Sequence, residues 1–262
     1  MLVGAGDIAS CQSPGDEATA RLLDAIPGTV FTTGDNAYES GTDKEFSDCY
    51  HPSWGRHRAR TRPAPGNHDY GTPGAAGYFR YFGAAAGDPR RGYYSYDLGT
   101  WHLIALNSNC RLIGGCDAGS AQVLWLRADL AAHPARCTAA YWHHPRFGSG
   151  PHEEALALQT IWQVLYDAGV DLTLAGHNHL YERFAPQDPS GRLDRVRGIR
   201  QITVGTGGRS HYALRRVAAN SEARNTDTFG VLKLVLEPAR YSWEFVPERG
   251  KAFRDSGTTP CH

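Results

Sequence analysis

The chain lacks the features that would place it among membrane or nucleic-acid-binding proteins. None of its apolar runs approaches the roughly 20 residues that a transmembrane helix requires, and no secretion signal is visible. Its 27 lysine and arginine residues balance 27 aspartate and glutamate residues, so no net field favours nucleic acid or a membrane surface. We therefore expect no nucleic-acid binding and no membrane association, and the oligomeric state stays open.

The cysteines form no C-x-x-C pair, which argues against a zinc knuckle and a thioredoxin-like motif. There are six of them: Cys11, Cys49, Cys110, Cys116, Cys137 and Cys261. An even number, scattered through loops and at the far C-terminus, favours disulfides and an oxidising compartment. We therefore expect a secreted or periplasmic protein; the alternative is six reduced thiols in a cytosolic one. Because Met1 stands directly before strand residues with no leader, we also expect a trimmed chain to which Met1 was added.

Position along the chain suggests which cysteines pair. Cys110 and Cys116 flank a flexible loop short enough to close locally, and Cys11 and Cys49 both lie in loops after strands that carry candidate site residues. Cys137 would then tie Cys261 to the core. The connectivity stays open at this point, because six cysteines can pair in many ways.

Hydrophobic patterns divide the chain into strands and helices. Helical spacing of apolar residues predicts helices over 16–26, 44–50, 120–132 and 153–168. Runs rich in β-branched, aromatic or aliphatic residues predict strands over 2–4, 29–33, 61–65, 92–98, 101–106, 139–142, 172–175, 199–204, 230–236 and 241–246. The Gly-, Ala-, Pro- and Tyr-rich segment 70–91 is expected to be a long loop near the site. The order of elements predicts an α/β protein with two mixed β-sheets packed as a sandwich flanked by helices, in one domain over residues 1–262.

Metal-binding residue types follow several of the predicted strands. Asp35 comes directly after the uncharged run 29–33 and Gly34, at the carboxyl end of a strand, where open α/β sheets place their ligand sites. Similar strand ends carry Asp7, Asn67, His68, His143, His177 and His179. A carboxylate has two oxygens and can bridge two ions. Five strand ends with oxygen or imidazole donors therefore indicate one dinuclear metal centre.

A competing hypothesis comes from residues 4–9, G-A-G-D-I-A, which match the dinucleotide fingerprint G-x-G-x-x-A after a strand. This fingerprint is typical of nicotinamide-dependent oxidoreductases and needs a helix that begins at once, so that its N-terminus meets the pyrophosphate. Residues 10–15 include Pro14 and Gly15 and block such a helix. The hypothesis also leaves the histidines unexplained, so we favour the metal centre.

Two motifs assign roles to individual side chains. In G-H-N-H over 176–179, which turns after a buried strand, the two imidazoles can serve neighbouring metals. In G-N-H-D over 66–69, Asn67 can bind a metal through its amide oxygen. His68 is then free to meet a phosphate, with Asp69 orienting the other nitrogen of its ring.

Two further histidine positions belong to the predicted site. The pair His143-His144 follows another predicted buried strand, and we take His143 as a ligand and His144 as a catalytic candidate. His152 lies in the loop 148–152, which we expect to be mobile enough to reach a substrate. We expect the loops 70–91 and 148–154 to decide which substrate is accepted.

These motifs, in this order, resemble the calcineurin-like metallophosphoesterase superfamily. Most of its branches have Asp-x-His in the first motif, whereas Ala9 stands two residues after Asp7 here. The spacing G-D-x-x-Y over 34–38 and the sequence Y-E-R over 181–183 are similar to the purple acid phosphatase branch. The resemblance covers positions 7–179 and implies the four-layer metallophosphatase-like fold.

The resemblance also implies how the donors are shared between two metal ions. Asp35 would bridge the ions, and the first ion, usually Fe³⁺, would be paired with Fe²⁺, Zn²⁺ or Mn²⁺. The first ion would be bound by Asp7, Tyr38 and His179, and the second by Asn67, His143 and His177. His68 and His152 fall where the family has histidines that contact the substrate.

The implied activity is hydrolysis of small-molecule phosphate monoesters. A metal-activated hydroxide would attack phosphorus, while imidazoles at His68 and His152 would stabilise charge and protonate the leaving group. A phosphodiesterase or nucleotidase on the same metal site is the alternative. A non-catalytic binding module on the same fold is a third hypothesis, against which the intact set of ligands argues. The large plant enzymes of this branch have an extra N-terminal sandwich domain, which we do not expect here, so we do not carry over their substrate preference.

Overall fold

The computed structural model describes residues 1–152 and 155–262, which form 13 strands and five α-helices. The helices are α1 (Gly15–Ala25), α2 (Asp43–Glu45), α3 (Ala76–Phe82), α4 (Ala121–Ala132) and α5 (Gln159–Asp167). The strands are β1 (Leu2–Ala5), β2 (Thr29–Thr33), β3 (Thr61–Ala64), β4 (Tyr94–Leu98), β5 (Trp101–Ala105), β6 (Cys137–Tyr141), β7 (Leu172–Ala175), β8 (Tyr181–Phe184), β9 (Arg200–Val204), β10 (Ser221–Asn225), β11 (Gly230–Glu237), β12 (Arg240–Pro247) and β13 (Ser256–Pro260). No helix in these two ranges is long and apolar enough to cross a membrane.

The strands form the two mixed sheets that the sequence predicts. The first has the order β13-β12-β11-β1-β2-β3, with β1, β2 and β3 parallel to one another. The second has the order β10-β8-β9-β7-β6-β5-β4, with β5, β6, β7 and β9 parallel. The remaining pairings are antiparallel.

Two apolar clusters give the molecule its layers. The larger joins both sheets face to face; in it, the rings of Phe31 and Tyr141 lie 6.0 Å apart between centroids. The smaller packs α4 and α5 on the outer face of the second sheet, where Leu126 and Ile161 belong to the same buried cluster as Trp142. Helix α1 packs on the first sheet beside β11. The result is a helix–sheet–sheet–helix arrangement in which apolar faces are buried between layers.

The central strands explain why the site lies where it does. Strand β2 (T-V-F-T-T) and strand β7 (L-T-L-A) carry no charge and are buried along almost their whole length, as strands covered on both faces must be. Parallel neighbours end at the same edge of a sheet. The residues that follow β1, β2 and β3 therefore meet at one edge, and those that follow β6 and β7 meet at the facing edge.

The expectation that 70–91 is a long loop is wrong, because the segment contains α3 and several short helical turns. Tyr78 and Phe82 of α3 are buried, and Phe82 packs edge-to-face on Phe46 and Tyr50 at centroid distances of 5.8 and 5.5 Å. Tertiary packing of aromatic residues one helical turn apart thus overrides the loop-forming composition around them.

Three strands were not expected from the sequence: β8, β10 and β13. Strands β10 and β13 are short, polar and only partly buried, so their composition does not differ from that of loops. The helix predicted over 153–168 is shorter in the structure: a 3₁₀ turn, Leu156–Leu158, leads into α5. Its expected start at Glu153 lies outside the described residues.

All three expected disulfides are present. They join Cys11 to Cys49, Cys110 to Cys116 and Cys137 to Cys261, with Cα–Cα distances of 5.0, 5.3 and 5.6 Å. The third connects the start of β6 to the C-terminal segment across 124 residues of sequence. It therefore links an interior strand of one sheet to the residue that follows β13, the edge strand of the other.

We predict that the long disulfide stabilises the fold more than the short one. Chain-entropy arithmetic gives about 5 kcal/mol for a loop as long as the one closed by Cys137–Cys261, and about 2 kcal/mol for that of Cys110–Cys116. The double variant Cys137→Ala/Cys261→Ala should therefore lose more unfolding free energy than Cys110→Ala/Cys116→Ala in urea titrations. An equal loss, or six free thiols in protein purified in air, would contradict this prediction.

Candidate metal centre

The structure brings the seven residues predicted as metal ligands into one cluster. Three of the contributing strands, β1, β2 and β3, belong to the first sheet, and β6 and β7 belong to the second. The cluster thus lies at the carboxyl ends of parallel strands in both sheets, where α/β proteins bind ligands. Its members are Asp7, Asp35, Tyr38, Asn67, His143, His177 and His179.

The first group of donors surrounds the hydroxyl of Tyr38. The hydroxyl oxygen lies 2.9 Å from Asp7 Oδ1, 3.0 Å from Asp35 Oδ2 and 3.2 Å from His179 Nε2. His179 Nε2 also lies 3.3 Å from Asp7 Oδ1. All four side chains are buried, so three oxygen donors and one nitrogen donor face one another in a small space away from bulk water.

The second group surrounds Nε2 of His143. This nitrogen lies 2.9 Å from Asn67 Oδ1, 3.2 Å from His177 Nδ1 and 3.2 Å from Asp35 Oδ2. Asp35 Oδ2 therefore contacts both groups: the Tyr38 hydroxyl on one side and the His143 imidazole on the other. A carboxylate in this position is placed to bind two neighbouring ions.

The backbone at this site is held in an unfavourable conformation. Asp7, Asp35 and His177 have positive φ angles of 59°, 51° and 66°, in the left-handed region that non-glycine residues seldom adopt. Each costs on the order of 1–3 kcal/mol, and such residues cluster at functional sites. The conformation turns each strand end sharply, so that the side chain points into the cluster.

Hydrogen bonds between the strand ends hold these turns together. Asp7 Oδ2 accepts the backbone N–H of His177 at 2.8 Å, and Asp35 Oδ1 accepts the backbone N–H of His68 at 2.8 Å. Each carboxylate thus uses one oxygen to fix a turn from another strand. The other oxygen, Oδ1 of Asp7 or Oδ2 of Asp35, faces the cluster.

The glycines of the two motifs are required by close packing. A Cβ at Gly66 would lie 2.1 Å from Asp35 Oδ1, and one at Gly176 would lie 2.7 Å from Asp7 Oδ2. No side chain fits at either position without displacing a carboxylate. The glycines before Asn67 and His177 are therefore part of the site's geometry.

Hydrogen bonds on the far side of two imidazoles fix their orientation. Nδ1 of His143 lies 2.8 Å from the carbonyl oxygen of Thr33, which can only accept, so Nδ1 carries the hydrogen and Nε2 faces the cluster. Nδ1 of His179 lies 2.7 Å from Ser210 Oγ, which leaves its Nε2 towards Tyr38. Such partners are typical of histidines that bind metals.

Burial and charge act against each other in this cluster. Burial would lower the pKa of His143, but the charge of Asp35 and their hydrogen bond outweigh it and raise the pKa to about 9. Burial would likewise raise the pKa of Asp35, but His143 and His68 more than offset it and the pKa is lowered. For Tyr38, burial together with the charges of Asp35 and Asp7 raises the pKa well above that of a free phenol. A proton on His143 and one on Tyr38 thus hold the negative oxygens together.

The donor set fits a pair of cations. One donor atom each from Asp7, Asp35 and His143 lies within 4.8 Å of the others, and the same holds for His143, His144 and His177. Carboxylate, phenolate and amide oxygens with imidazole nitrogens suit transition metals of the iron and zinc type. Cations here would replace the protons that now separate the acceptors, and the charge of an ion would lower the pKa of the Tyr38 phenol instead of raising it.

His68 lies beside the cluster, but the expected role of Asp69 is wrong. The Asp69 carboxylate is fully buried and accepts the backbone N–H of Gly66 at 2.8 Å and the side-chain amide of Asn36 at 2.9 Å. Nδ1 of His68 instead lies 2.6 Å from the carbonyl oxygen of Glu39. Asp69 therefore supports the 66–69 turn, because the backbone N–H of Gly66 in that turn is its nearest donor, and the Glu39 carbonyl orients the His68 ring.

His68 Nε2 lies 4.0 Å from Asp35 Oδ2, and about a third of the side chain is exposed. The ring packs at 4.4 Å against the ring of Tyr38. His68 is thus at the open rim of the cluster, where it can meet a ligand that approaches from solvent.

His144 packs behind the second group of donors. Its Nδ1 lies 2.8 Å from Ser108 Oγ, and its ring is 4.4 Å from that of His177. Burial, aided by the charge of His143, lowers the pKa of His144 to about 3, so the ring is neutral at ordinary pH.

Hydrogen bonds hold Ser149 in the middle of the loop 148–152, and the mobility expected of this loop stays a prediction. Ser149 is fully buried; its N–H bonds to the Glu182 carboxylate at 2.9 Å, and its carbonyl accepts the N–H of Arg215 at 2.9 Å. His152, which follows, stacks on His177 at 4.1 Å between ring centroids. The loop thus places the His152 ring beside His177, one of the predicted metal ligands.

Several residues at the site carried no signal in the sequence. Ser210 and Tyr212 follow the glycine-rich turn over 206–208; Tyr212 stacks on His179 at 4.0 Å with an interplanar angle of 12°. The guanidinium of Arg209 lies over the Tyr38 ring, 5.2 Å from its centroid. His211, between Ser210 and Tyr212, stacks on Phe229 at 4.0 Å between ring centroids.

Comparison with known proteins identifies the family. The family model of calcineurin-like phosphoesterases matches residues 3–181, more than half of the chain. Purple acid phosphatase 21 of Arabidopsis thaliana is 34% identical over 139 residues, which cover 47% of this chain and 28% of that protein. Purple acid phosphatase 23 of the same plant is 29% identical over 232 residues, covering 72% of this chain and 48% of that protein. The chain spans about a quarter to a half of the length of these curated relatives.

Solved structures show the same fold. The purple acid phosphatase PPD1 from yellow lupin (Lupinus luteus) seeds superposes with a TM-score of 0.76 at 20% identity, covering 98% of this chain and 53% of that one. GAP50, described as the anchor in the inner membrane complex of Plasmodium, superposes with a TM-score of 0.75 at 13% identity, covering 100% of this chain and 88% of that one. The chain therefore belongs to the calcineurin-like phosphoesterase family, in its purple acid phosphatase-like branch, and its relatives imply a dinuclear metal centre.

Proposed function

We propose that this chain is a metal-dependent phosphatase that hydrolyses small-molecule phosphate monoesters. The observation that carries the proposal is the position of the Asp35 carboxylate. Its Oδ2 lies 3.0 Å from the Tyr38 hydroxyl and 3.2 Å from His143 Nε2. A shared carboxylate between two sets of donors suits two ions that act on one phosphoryl group. The family to which the chain belongs supports the same conclusion.

In this proposal, Asp7, Tyr38 and His179 hold one ion, Asn67, His143 and His177 hold the other, and Asp35 binds both. When bound, the ions supply Lewis acidity and lower the pKa of a water molecule towards neutrality. The chain's own part is to fix the donors: Thr33 and Ser210 orient two imidazoles, and the interlocked strand ends fix the two carboxylates.

His68 and His152 act on the phosphate ester itself. Both rings border the donor cluster: His68 packs against Tyr38, and His152 stacks on His177. Imidazoles in these positions can donate hydrogen bonds to the phosphoryl oxygens as negative charge develops and can return a proton to the leaving oxygen. Asp69 supports the site from a buried position, and His144, which packs against His177, supports the second group of donors.

Tyr38 favours Fe³⁺ as the first ion, because a phenolate is a hard anionic donor that suits a highly charged metal. We propose Fe²⁺, Zn²⁺ or Mn²⁺ as the second ion, since imidazole and amide donors can bind all three.

The three disulfides support a secreted or periplasmic location. We also propose that residues 1–262 act as one catalytic domain.

Two other functions remain candidates on this fold. A phosphodiesterase or nucleotidase would use the same ions with a larger leaving group. A non-catalytic binding module is the second of these functions, since GAP50 shares the fold and is described as an anchor.

A panel of aryl phosphate mono- and diesters, assayed with metal analysis of the purified protein, distinguishes the three functions. Preference for monoesters with two bound ions supports the proposal, and inactivity of the metal-loaded protein towards every ester would refute it.

The first prediction concerns the shared carboxylate. Asp35→Asn should abolish activity and lower metal content, because an amide offers one neutral oxygen where a carboxylate offers two charged ones. The exposed Asp43, which pairs with Arg80, provides the control: Asp43→Asn should change neither. Full activity in Asp35→Asn, measured alongside metal content by mass spectrometry, would show that the site is assigned wrongly.

The second prediction concerns His68. His68→Ala should keep both ions while kcat falls by about 100-fold or more, as expected for the loss of a group that transfers a proton or stabilises charge. His51→Ala, at an exposed histidine away from the cluster, should retain kcat. Loss of metal from His68→Ala would mean that His68 is itself a ligand.

The third prediction concerns Tyr38. Iron-loaded, oxidised protein should absorb visible light, because electron density moves from phenolate to Fe³⁺. Tyr38→Phe should lose that band but keep much of the activity, since Asp7, Asp35 and His179 still hold the ion. Tyr212→Phe, at a tyrosine stacked on His179, should keep the band. A colourless iron-loaded wild type, or an unchanged band in Tyr38→Phe, would remove Tyr38 from the ligand set.

A further inference from the structure

Asn178 stands between the two histidines of the G-H-N-H turn, and its side chain contacts the loop that carries His152. The residue is only 1% exposed. Its Oδ1 accepts the backbone N–H of His152 at 3.3 Å. Within the described part of the chain, this is the one hydrogen bond from residues 150–152 to the rest of the protein. The turn that carries two proposed ligands is thus joined directly to a proposed substrate-contacting residue.

The loop follows the shape of the Asn178 side chain. A Cβ at Gly150 would lie 2.2 Å from Asn178 Oδ1, and one at Gly148 would lie 3.1 Å from its Nδ2. The loop backbone can therefore lie against the amide only because both positions are glycine. Ser149, between them, is fixed separately by the Glu182 carboxylate. Asn178 consequently sets the path of the chain between that anchor and His152.

The ring of His152 depends on this path. It stacks on His177 at 4.1 Å with an interplanar angle of 32°, and meets Tyr212 edge-on at 5.3 Å. The position of the ring follows that of the His152 backbone, because two neighbouring rings limit the space into which its side chain can turn. A change in the contact with Asn178 would move the ring relative to the cluster without removing any donor atom.

We propose that Asn178 is a positioning residue for catalysis: its amide oxygen holds His152 where that imidazole meets the phosphate ester. The proposal rests on the function proposed above. It assigns to the residue between the two ligand histidines a role that is separate from metal binding. It also explains why a loop with two glycines in three positions is held next to the cluster.

Asn178→Leu tests the proposal, because leucine has a similar shape but accepts no hydrogen bond. In protein loaded with two ions, kcat should fall by about 10-fold to 100-fold, in the range expected for a misplaced catalytic group. KM and metal content should change little. Asn225→Leu, on the edge strand β10, is the matched control and should retain wild-type kcat.

A double-mutant cycle separates positioning from general damage. If Asn178 acts through His152, then Asn178→Leu should cost less than about 2-fold in kcat when His152 is already alanine, because coupled residues are not additive. An equal fold-loss in both backgrounds, or loss of metal from Asn178→Leu, would overturn the proposal.

Hydrogen–deuterium exchange tests the same contact without catalysis. Peptides over 146–152 should exchange faster in Asn178→Leu than in the wild type, since the His152 N–H loses its acceptor. If the metal-loaded wild type hydrolysed no ester, the proposed phosphatase activity would fail, yet the exchange result would still decide whether Asn178 holds the loop. Unchanged exchange in Asn178→Leu would refute the positioning role whatever the activity.

Discussion

The contact on which the site depends is the one between the Asp35 carboxylate and two sets of buried donors. One oxygen of Asp35 fixes the 66–69 turn through the N–H of His68, and the other faces both Tyr38 and His143. Asp7 is bound in the same way: its Oδ2 accepts the N–H of His177, and its Oδ1 faces Tyr38. Because each carboxylate ties a turn from another strand, the ends of strands from two sheets form one rigid unit, which orders the donors before any ligand arrives.

The strand ends that form the site destabilise the folded protein, and the rest of the fold offsets this loss of stability. Asp7, Asp35 and His177 all lie in the left-handed region. Buried carboxylates must also be neutralised, which is why Asp35 raises the pKa of His143 to about 9. Two well-packed apolar clusters and three disulfides provide the stability that holds these groups in place. Cations between the donors would relieve the charge that protons now balance.

The sequence predicts most of the framework for a physical reason. Buried parallel strands such as β2 and β7 carry no charge, so metal-binding residues at their ends are easily recognised in the sequence.

Other contacts at the site come from groups that no sequence motif indicates. The Glu39 carbonyl that orients His68 is a backbone group, and Ser210 and Tyr212 contact His179 from a segment that begins 31 residues further along the chain. Asp69 was misassigned because adjacency to His68 in sequence does not bring its carboxylate to that ring. Helix α3 was missed because its stability comes from aromatic partners far away in sequence.

The central claim is that one carboxylate, Asp35, joins two metal ions in a phosphoesterase site. Anomalous X-ray diffraction from crystals of the metal-loaded protein tests it most directly. The account predicts two anomalous peaks about 3.5–4 Å apart, as in two-metal phosphoesterases, with Asp35 between them, Tyr38 on one side and Asn67 on the other. A single peak, or two peaks of which only one contacts Asp35, would contradict it.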